Sequence, residues 1–451
     1  MNDAAGTAPG AALARLRPLL APRSIAVVGA TPREGSFGRA ALAQIVASGF
    51  KGAIHPINPR YNEVLGLRCY PALDALPEVP DHAVIVVANA QVEQAIDAVI
   101  GAGVKGATMF ASCYLEGDRD PPLTDRIRAK ARGAGLRLCG ANCLGFQNRE
   151  QPLAVGVFPV GDLTPGHIAV VSHSGAAYLS MSTLDPRFRV NLIVSAGQEL
   201  TVGAADYMAY ALDLPSTRIV ALFLETVRDP AGFVAALERA NAQDVPVVAL
   251  KVGRTERSAR LAQTHSGALA GNDAAYEAVF EHFGVHRVDS VDELTATALL
   301  FASPRRYVRG GLGAVLDSGG QRGMMLDLAA RLGVPIAEIG QDARDKVAGV
   351  LDYGLEPVNP VDAWGTGKDY RTVFGTCYRA LAADPAVGIV ALFSDVSSED
   401  PVVVDFLAEF CAAADETPDK PFLVVLNWSR CFGPHLHLGA LDRGIAVLDG
   451  L

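Results

Sequence analysis

The sequence predicts an α/β protein of three consecutive doubly wound domains, and three observations predict it. Short apolar runs that end in small polar turns alternate with alanine-rich amphipathic stretches along the whole chain, the pattern of strand-helix units feeding parallel sheets. The pattern restarts at Pro165-Gly166 and again after Pro304-Arg305-Arg306. The length of 451 residues suits about three domains of ordinary size.

A first sheet is expected from runs such as Ser24-Ile25-Ala26-Val27-Val28 and those at 83–88, 106–110 and 136–140. A second follows from 167–172, 190–195, 219–225 and 245–252, and a third from 312–317, 387–393 and 422–427. The expected domains are therefore 1–150, 151–304 and 305–451. Pro304-Arg305-Arg306 reads as a charged linker between the last two.

Half of the residues are hydrophobic and a fifth are charged, as in an ordinary globular chain. The net charge of -10 and the pI near 5.4 argue against a nucleic-acid partner, because nothing resembles the concentrated basic face that phosphate neutralisation needs. The N-terminus lacks a basic flank followed by an apolar core. The longest apolar runs are far short of a membrane span, so no membrane association and a cytoplasmic location are expected. Seven scattered cysteines read as buried or reduced thiols. Cys139 and Cys143 are four apart but have no second ligand pair nearby, so no metal site is expected.

Three stretches carry chemistry. The turn after the first run, Gly29-Ala30-Thr31-Pro32-Arg33-Glu34-Gly35-Ser36-Phe37-Gly38-Arg39, offers glycines for close backbone approach and a helix start for a phosphate. It departs from the compact G-x-G-x-x-G fingerprint of nicotinamide cofactors, and a glycine-rich turn without a ligand is the plainer alternative. Asn58 and Arg60 in Pro56-Ile57-Asn58-Pro59-Arg60, together with Asn89 and Asn142, fall at the same C-terminal sheet edge, where ligands of doubly wound sheets sit. Turn chemistry accounts for any one of these asparagines taken singly.

The second stretch is Val171-Ser172-His173-Ser174-Gly175-Ala176, a strand running straight into a helix. Ser172, Ser174 and Gly175 suit either an anion cradle or a plain N-cap. The third is Thr264-His265-Ser266-Gly267-Ala268-Leu269-Ala270-Gly271, which sets His265 among small residues with little bulk to block an approaching phosphate or acyl group. Glu225 ends an apolar run at the functional edge, where a carboxylate can fix an imidazole tautomer and make the other nitrogen a better nucleophile. His265 is its expected partner; capping of the helix that starts near Asp229-Pro230 is the alternative. Lys251, Arg254 and Arg257 add positive charge that favours an anionic substrate or belongs to a solvated loop.

Taken in order, these motifs with Asn142-Cys143-Leu144-Gly145, Leu224-Glu225 and Lys251-Val252-Gly253-Arg254 closely resemble the NDP-forming acyl-CoA synthetases, relatives of the succinyl-CoA synthetase alpha subunit. The resemblance covers essentially the whole chain. The third domain, through Gly319-Gly320 and Asn359-Pro360-Val361-Asp362, resembles a further flavodoxin-like ligase domain. The resemblance implies a Rossmann-like CoA-binding domain followed by two flavodoxin-like ligase domains. It also implies a phosphoryl relay: acyl-CoA and phosphate give an acyl phosphate, which phosphorylates His265, and the phosphohistidine passes its group to ADP. Glu225 then matches the orienting glutamate. Ser172, Ser174 and Gly175 match the phosphate-holding helix start, while Gly29, Thr31, Arg33, Gly35, Ser36, Gly38, Asn58, Arg60, Asn89 and Asn142 match the coenzyme A site.

Departures from the family pattern are His173 where relatives carry a glutamine, Ala141 where they carry a proline, which should relax that turn, and Ser266 in place of the frequent threonine. The ATP-grasp domain that binds ATP or ADP and Mg2+ is absent from these residues, so a fused domain or a separate ATP-grasp subunit is the expected partner. A small carboxylic acid or its acyl-CoA is the expected substrate, in an oligomeric enzyme. The alternative reading is a non-catalytic CoA-binding regulatory protein.

Overall fold

A computed structural model of the chain describes residues 10–260, 272–396, 400–428 and 434–450. It divides into two compact units, Met1–Thr295 and Ala296–Leu451. The first unit holds two sheets. One comprises β1 (Ser24–Val28), β2 (Ala53–Ile57), β5 (His82–Ile85), β6 (Gly106–Met109) and β7 (Arg137–Gly140), with a small hairpin of β3 (Glu63–Val64) and β4 (Leu67–Arg68) beside it. The five long strands are parallel in the order β2-β1-β5-β6-β7, so the chain reverses direction across the sheet between β1 and β5. All residues of β5 and β6 are buried, which is why these runs are apolar or small rather than alternating, apart from His82, which meets the Thr108 hydroxyl.

The second sheet takes β8 (Gly145–Asn148), β9 (Leu153–Val155), β10 (Ile168–Ser172), β11 (Val190–Ser195), β12 (Ile219–Leu224), β13 (Val247–Lys251) and β14 (His286–Val288) in the order β14-β13-β12-β10-β11-β8-β9. Strands β10 to β14 are parallel, and β8 and β9 form an antiparallel hairpin at the edge. Apolar periodicity does not mark this hairpin, because both strands are short and β8 buries Gln147 and Asn148. Asn148 is satisfied across the unit: its Nδ2 donates to the Leu20 carbonyl at 3.0 Å. Leu20 ends helix α1 (Ala11–Leu20), whose first turn donates three N–H groups, from Gly10, Ala12 and Leu13, to the Asp213 carboxylate.

One hydrophobic core runs through both sheets of this unit, from Leu16, Ile25 and Val27 to Phe146, Leu192 and Tyr207. Their C-terminal edges also meet. Gln198 and Leu200 donate their N–H groups to the carbonyls of Ala141 and Gly140 at 2.8 and 3.1 Å, and the Leu144 N–H reaches the Ser195 hydroxyl at 3.0 Å. The approach is so close that a Cβ on Gly197 would lie 2.1 Å from the Ala141 carbonyl oxygen. The turn around Ala141 carries positive φ on both sides, +102° at Gly140 and +51° at Asn142, and its carbonyls at 140 and 141 accept the Leu200 and Gln198 N–H groups.

The second unit is a parallel sheet of β15 (Gly311–Leu316), β16 (Val361–Asp362), β17 (Val387–Phe393), β18 (Phe422–Leu426) and β19 (Ala446–Asp449), ordered β16-β15-β17-β18-β19. Aromatic rings fill one side of it, with Phe374 stacked on Phe406 at 4.0 Å and Tyr378 edge-on to Phe410 at 4.9 Å. Arg305, read from the sequence as linker charge, is bound into this unit. Its guanidinium donates to the carbonyls of Ala414, Thr417 and Lys420 at and just beyond the end of helix Pro401–Glu416, where the helix dipole favours a cation.

The described cysteines, Cys69, Cys113, Cys139, Cys143, Cys377 and Cys411, are buried free thiols. The Cys139 and Cys143 sulfurs lie 4.0 Å apart in the shared core. No helix among the described residues is long and apolar enough to cross a membrane.

Two predictions follow from this packing. Gly197 combines φ +62° with the carbonyl contact, whereas Gly35 has φ +72° and open space around it. Gly197→Ala is expected to cost at least about 3 kcal/mol in urea unfolding and Gly35→Ala only about 1 kcal/mol. His82 is fully buried beside the Thr108 hydroxyl, and burial pushes its pKa down to about 3. The unfolded chain takes up a proton near pH 6.5 that the folded chain refuses, so this contribution is intact above pH 6.5 and is lost on acidification towards pH 3. Between pH 6.5 and 4.5 the wild type should lose about 2.5 kcal/mol more than His82→Leu, read from urea midpoints.

Candidate active site

The first sheet presents its loops at the crevice between β1 and β5. Helix α2 (Phe37–Ala47) starts directly after the glycine turn and is capped by Ser36, whose hydroxyl accepts the Arg39 N–H at 3.3 Å and donates to the Arg33 carbonyl at 2.6 Å. The Thr31 hydroxyl accepts the Arg33 N–H at 3.2 Å. Gly29 and Gly38 are required by packing: a Cβ on Gly38 would sit 2.2 Å from the Gly29 carbonyl oxygen, and one on Gly29 2.5 Å from that of Val86. Asn58 ties the turn to β2, its Nδ2 donating to the Ala30 carbonyl at 2.8 Å and its Oδ1 accepting the Arg60 N–H at 3.0 Å. The side chains of Thr31, Ser36 and Asn58 thus shape the loop from within. Arg33, Gly35 and Arg60 are exposed along it.

Asn89 opens helix α3 (Asn89–Gly101) and joins two loops, accepting the Cys113 N–H at 3.0 Å and donating to the Ser112 hydroxyl and the Tyr114 carbonyl at 3.1 and 2.8 Å. A cleft of about 410 Å³ lies here, lined by Phe37, Val86, Ala88, Asn89, Phe110 and Ser112 among others. Such a crevice, where the strand order reverses, is where doubly wound sheets take their ligands. Phe37 is 59 % exposed beside it, a ring face open to a planar group. Asn142 is exposed on the next loop, with its N–H bound to the Ala111 carbonyl at 3.0 Å.

The second sheet sets four adjacent strand ends side by side, those of β13, β12, β10 and β11. After β10, the buried Ser172 hydroxyl donates to the Ser174 carbonyl at 2.8 Å and accepts the Ser174 N–H at 3.2 Å. Ser174 caps helix α5 (Gly175–Thr183) by accepting the Ala177 N–H at 3.3 Å. The hydroxyls are therefore used in the turn and cap. What the helix start offers an anion is its N–H groups at Gly175 and Ala176, which have no partner among the described residues.

Glu225 follows β12 and is 8 % exposed. It does not cap the next helix, α7 (Pro230–Ala242): Asp229 does, accepting the Gly232 N–H at 3.0 Å. The Glu225 N–H donates instead to Nδ1 of the buried His173 at 3.0 Å. That bond leaves the proton of the neutral ring on Nε2, which donates to Glu199 Oε1 at 2.9 Å. Glu199, after β11, also accepts the Ala204 N–H at 2.6 Å, and its other oxygen lies 4.0 Å from Arg228 Nε. Burial lowers the pKa of that guanidinium, opposed by the Glu199 charge.

Of the three cations expected to draw in an anion, two are engaged internally. Lys251 ends β13 buried, its ammonium 4.5 Å from the centre of the Tyr276 ring and donating to the Val252 carbonyl, and burial lowers its pKa. Arg254 pairs with Asp289 and lies 3.9 Å from Asp273. Arg257 is exposed. The Tyr276 hydroxyl accepts the Val227 N–H at 3.0 Å, bracing the loop after β12. His265 lies outside the described residues, in the segment between Arg260 and Asn272 that follows β13.

The two sets of loops are one neighbourhood. Gln198, beside Glu199, donates from its amide to the Tyr114 hydroxyl and the Ser112 carbonyl at 3.1 and 3.3 Å, so the loop after β11 touches the loops that Asn89 joins. Sequence reading does not single out Glu199, Gln198, Ser112, Tyr114 or Tyr276. Glu199 carries the same signal as Glu225, an acidic residue just past an apolar run at the ligand-binding edge.

This geometry defines a class: an α/β protein whose crevice at the reversal point of one doubly wound sheet lies beside a helix start with N–H groups unpartnered among the described residues and a buried glutamate on the next. Comparison gives the domain families. The CoA binding domain family matches residues 23–149, and the succinyl-CoA ligase like flavodoxin domain family matches residues 165–301. An ADP-forming acetate–CoA ligase I of Archaeoglobus fulgidus is 32% identical across 82% of this chain and 54% of its own length. The alpha subunit of ADP-forming acetate–CoA ligase I of Pyrococcus furiosus is 27% identical, over 86% of this chain and 84% of that subunit. A solved structure titled dinucleotide forming acetyl-coenzyme A synthetase 1 of Ca. Korarchaeum cryptofilum, in complex with phosphate and ADP, superposes with a TM-score of 0.84 at 25% identity, over 96% of this chain and 93% of that one. The chain carries a CoA binding domain followed by a succinyl-CoA ligase like flavodoxin domain, and it resembles ADP-forming acid–CoA ligases and their alpha subunits. It spans about half the length of the Archaeoglobus relative.

Asn89→Ala removes three hydrogen bonds between loops at this site. It is expected to lower the unfolding free energy by about 2–3 kcal/mol and to speed amide exchange at Cys113, measured by urea unfolding and hydrogen-exchange mass spectrometry.

Proposed function

We propose that this chain is the CoA-binding and phosphoryl-carrying part of an ADP-forming acid–CoA ligase. Residues 1–150 hold coenzyme A, residues 151–304 carry the phosphoryl-accepting His265, and residues 305–451 form a second ligase domain. Phosphate attacks the acyl carbonyl of acyl-CoA, the C–S bond breaks, and CoA leaves as the acyl phosphate forms. The neutral imidazole of His265 then attacks phosphorus and the P–O bond to the acyl group breaks, releasing the carboxylate. The phosphohistidine passes its group to ADP on an ATP-grasp domain or subunit, which also holds Mg2+, in a cytoplasmic oligomer. All steps are reversible.

The observation that carries this reading is the meeting of the two sheet edges at residues 140–144 and 195–200. On this reading a thioester held by the loops of the first sheet is handed to the helix start of the second across this contact. In this scheme Gly29, Thr31, Arg33, Gly35, Ser36, Gly38, Asn58, Arg60, Asn89 and Asn142 form or shape the coenzyme A loops. The N–H groups behind Ser172, Ser174 and Gly175 stabilise charge on the transferred phosphoryl oxygens, which backbone donors at a helix start do without reorganisation. Glu225 orients the imidazole of His265 and stabilises the cation formed during transfer.

The test is labelling with acetyl-CoA and radioactive inorganic phosphate, with and without an added ATP-grasp subunit. Acid-labile, base-stable label is expected on the wild-type protein, none on His265→Ala, and roughly 100-fold slower labelling of Glu225→Gln. CoA binding measured by calorimetry should survive both substitutions. CoA binding with no phosphohistidine under any of these conditions would leave a non-catalytic CoA-binding protein instead.

A further inference from the structure

The loops that follow three neighbouring strands, β12, β10 and β11, each contribute a residue to one buried chain of hydrogen bonds: Glu225 and His173 directly after their strands, and Glu199 four residues beyond Ser195. The Glu225 N–H donates to His173 Nδ1 at 3.0 Å, His173 Nε2–H donates to Glu199 Oε1 at 2.9 Å, and the same oxygen accepts the Ala204 N–H at the start of helix α6 (Ala204–Leu212) at 2.6 Å. The His173 and Glu199 side chains are 4% and 2% exposed, so neither is placed to touch a substrate. A buried polar pair is retained at a cost in desolvation unless each atom is used, and here both ring nitrogens and one carboxylate oxygen are. The chain has a direction: helix α6 fixes Glu199, Glu199 fixes the ring and its tautomer, and the ring fixes the main chain of Glu225.

We propose that His173 and Glu199 are a positioning pair for Glu225, setting the carboxylate that the phosphoryl step uses while touching neither phosphate nor coenzyme A. The pair acts through the backbone. An imidazole at this point supplies an acceptor for the Glu225 N–H and a donor to Glu199 about one ring-width away, and a glutamine amide can supply both as well. An alanine supplies neither: it takes the ring acceptor from the buried Glu225 N–H and one of the donors from the buried Glu199 carboxylate, which keeps only the Ala204 N–H and the neighbouring Arg228. The proposal rests on the role given above to Glu225 and His265.

The experiment compares His173→Ala, His173→Gln, Glu199→Ala and the double alanine variant in the full chain, by labelling from acetyl-CoA and radioactive phosphate and by hydrogen exchange at the Glu225 amide. His173→Ala and Glu199→Ala should each slow labelling about 10- to 100-fold with CoA affinity within twofold of wild type, as loss of an orienting partner does. His173→Gln should return to within about threefold, and the double variant should be no slower than the worse single one, because the two act as one unit. The Glu225 amide should exchange at least about tenfold faster in His173→Ala and stay protected in His173→Gln. Wild-type labelling rates in His173→Ala, additive losses in the double variant, or an equally protected Glu225 amide in His173→Ala would each overturn the pair. Absence of label on the wild type itself counts against the relay reading, and the exchange measurement still decides whether the pair holds Glu225.

Discussion

Two chain segments from different sheets, residues 140–144 and 195–200, are packed backbone to backbone, and the arrangement of the site depends on that contact. It requires a residue without a side chain at 197, where a Cβ would meet the Ala141 carbonyl oxygen, and it is closed by N–H groups of Gln198 and Leu200. Backbone groups brought this close must bond to each other, since water has no room to satisfy them. The crevice of the first sheet and the helix start of the second are thereby fixed in one frame. Gln198 extends the frame to Ser112 and Tyr114, and Glu199 extends it to His173 and Glu225.

A second regularity is how the polar side chains at the sheet edges are used. Ser36, Asn58, Ser172 and Ser174 bond to backbone, and Asn89 to backbone and the Ser112 hydroxyl. Loops held this way keep their shape without a ligand, and they present N–H groups rather than flexible side chains to an anion. Preorganised backbone donors lose little entropy on binding and need no rearrangement during charge transfer. The cations follow the same economy, with Lys251 lodged over Tyr276 and Arg254 paired to acidic neighbours.

The strand pattern was legible because parallel strands buried on both faces must be continuous apolar runs. Nearly every run marked in the sequence is a strand within a residue or two, as at Ser24–Val28, Val190–Ser195 and Val387–Phe393. The hairpin of β8 and β9 was not legible: its buried Gln147 and Asn148 imitate a loop, and the Asn148 Nδ2 finds its acceptors only in the fold, on Leu20, 128 residues away, and on Tyr210. Arg305 misled in the opposite way. Its charge suggests a solvated linker, yet the carbonyls it serves belong to a helix end more than a hundred residues on.

By itself the sequence determined which residue types stand at the strand ends: the glycine turn after β1, the Ser-His-Ser-Gly step after β10, Glu225 after β12 and a histidine among small residues beyond β13. Local order is enough for this, because strand, turn and helix start are short-range events set by side-chain burial and turn chemistry. Tertiary structure alone decided the roles. Whether Glu225 caps a helix or meets a ring, and whether His173 faces solvent or bridges the loops of two other strands, depend on partners 26 and 52 residues distant. A hydrogen bond is specified by position and direction, and only the assembled sheets bring those partners to within 3 Å of one another.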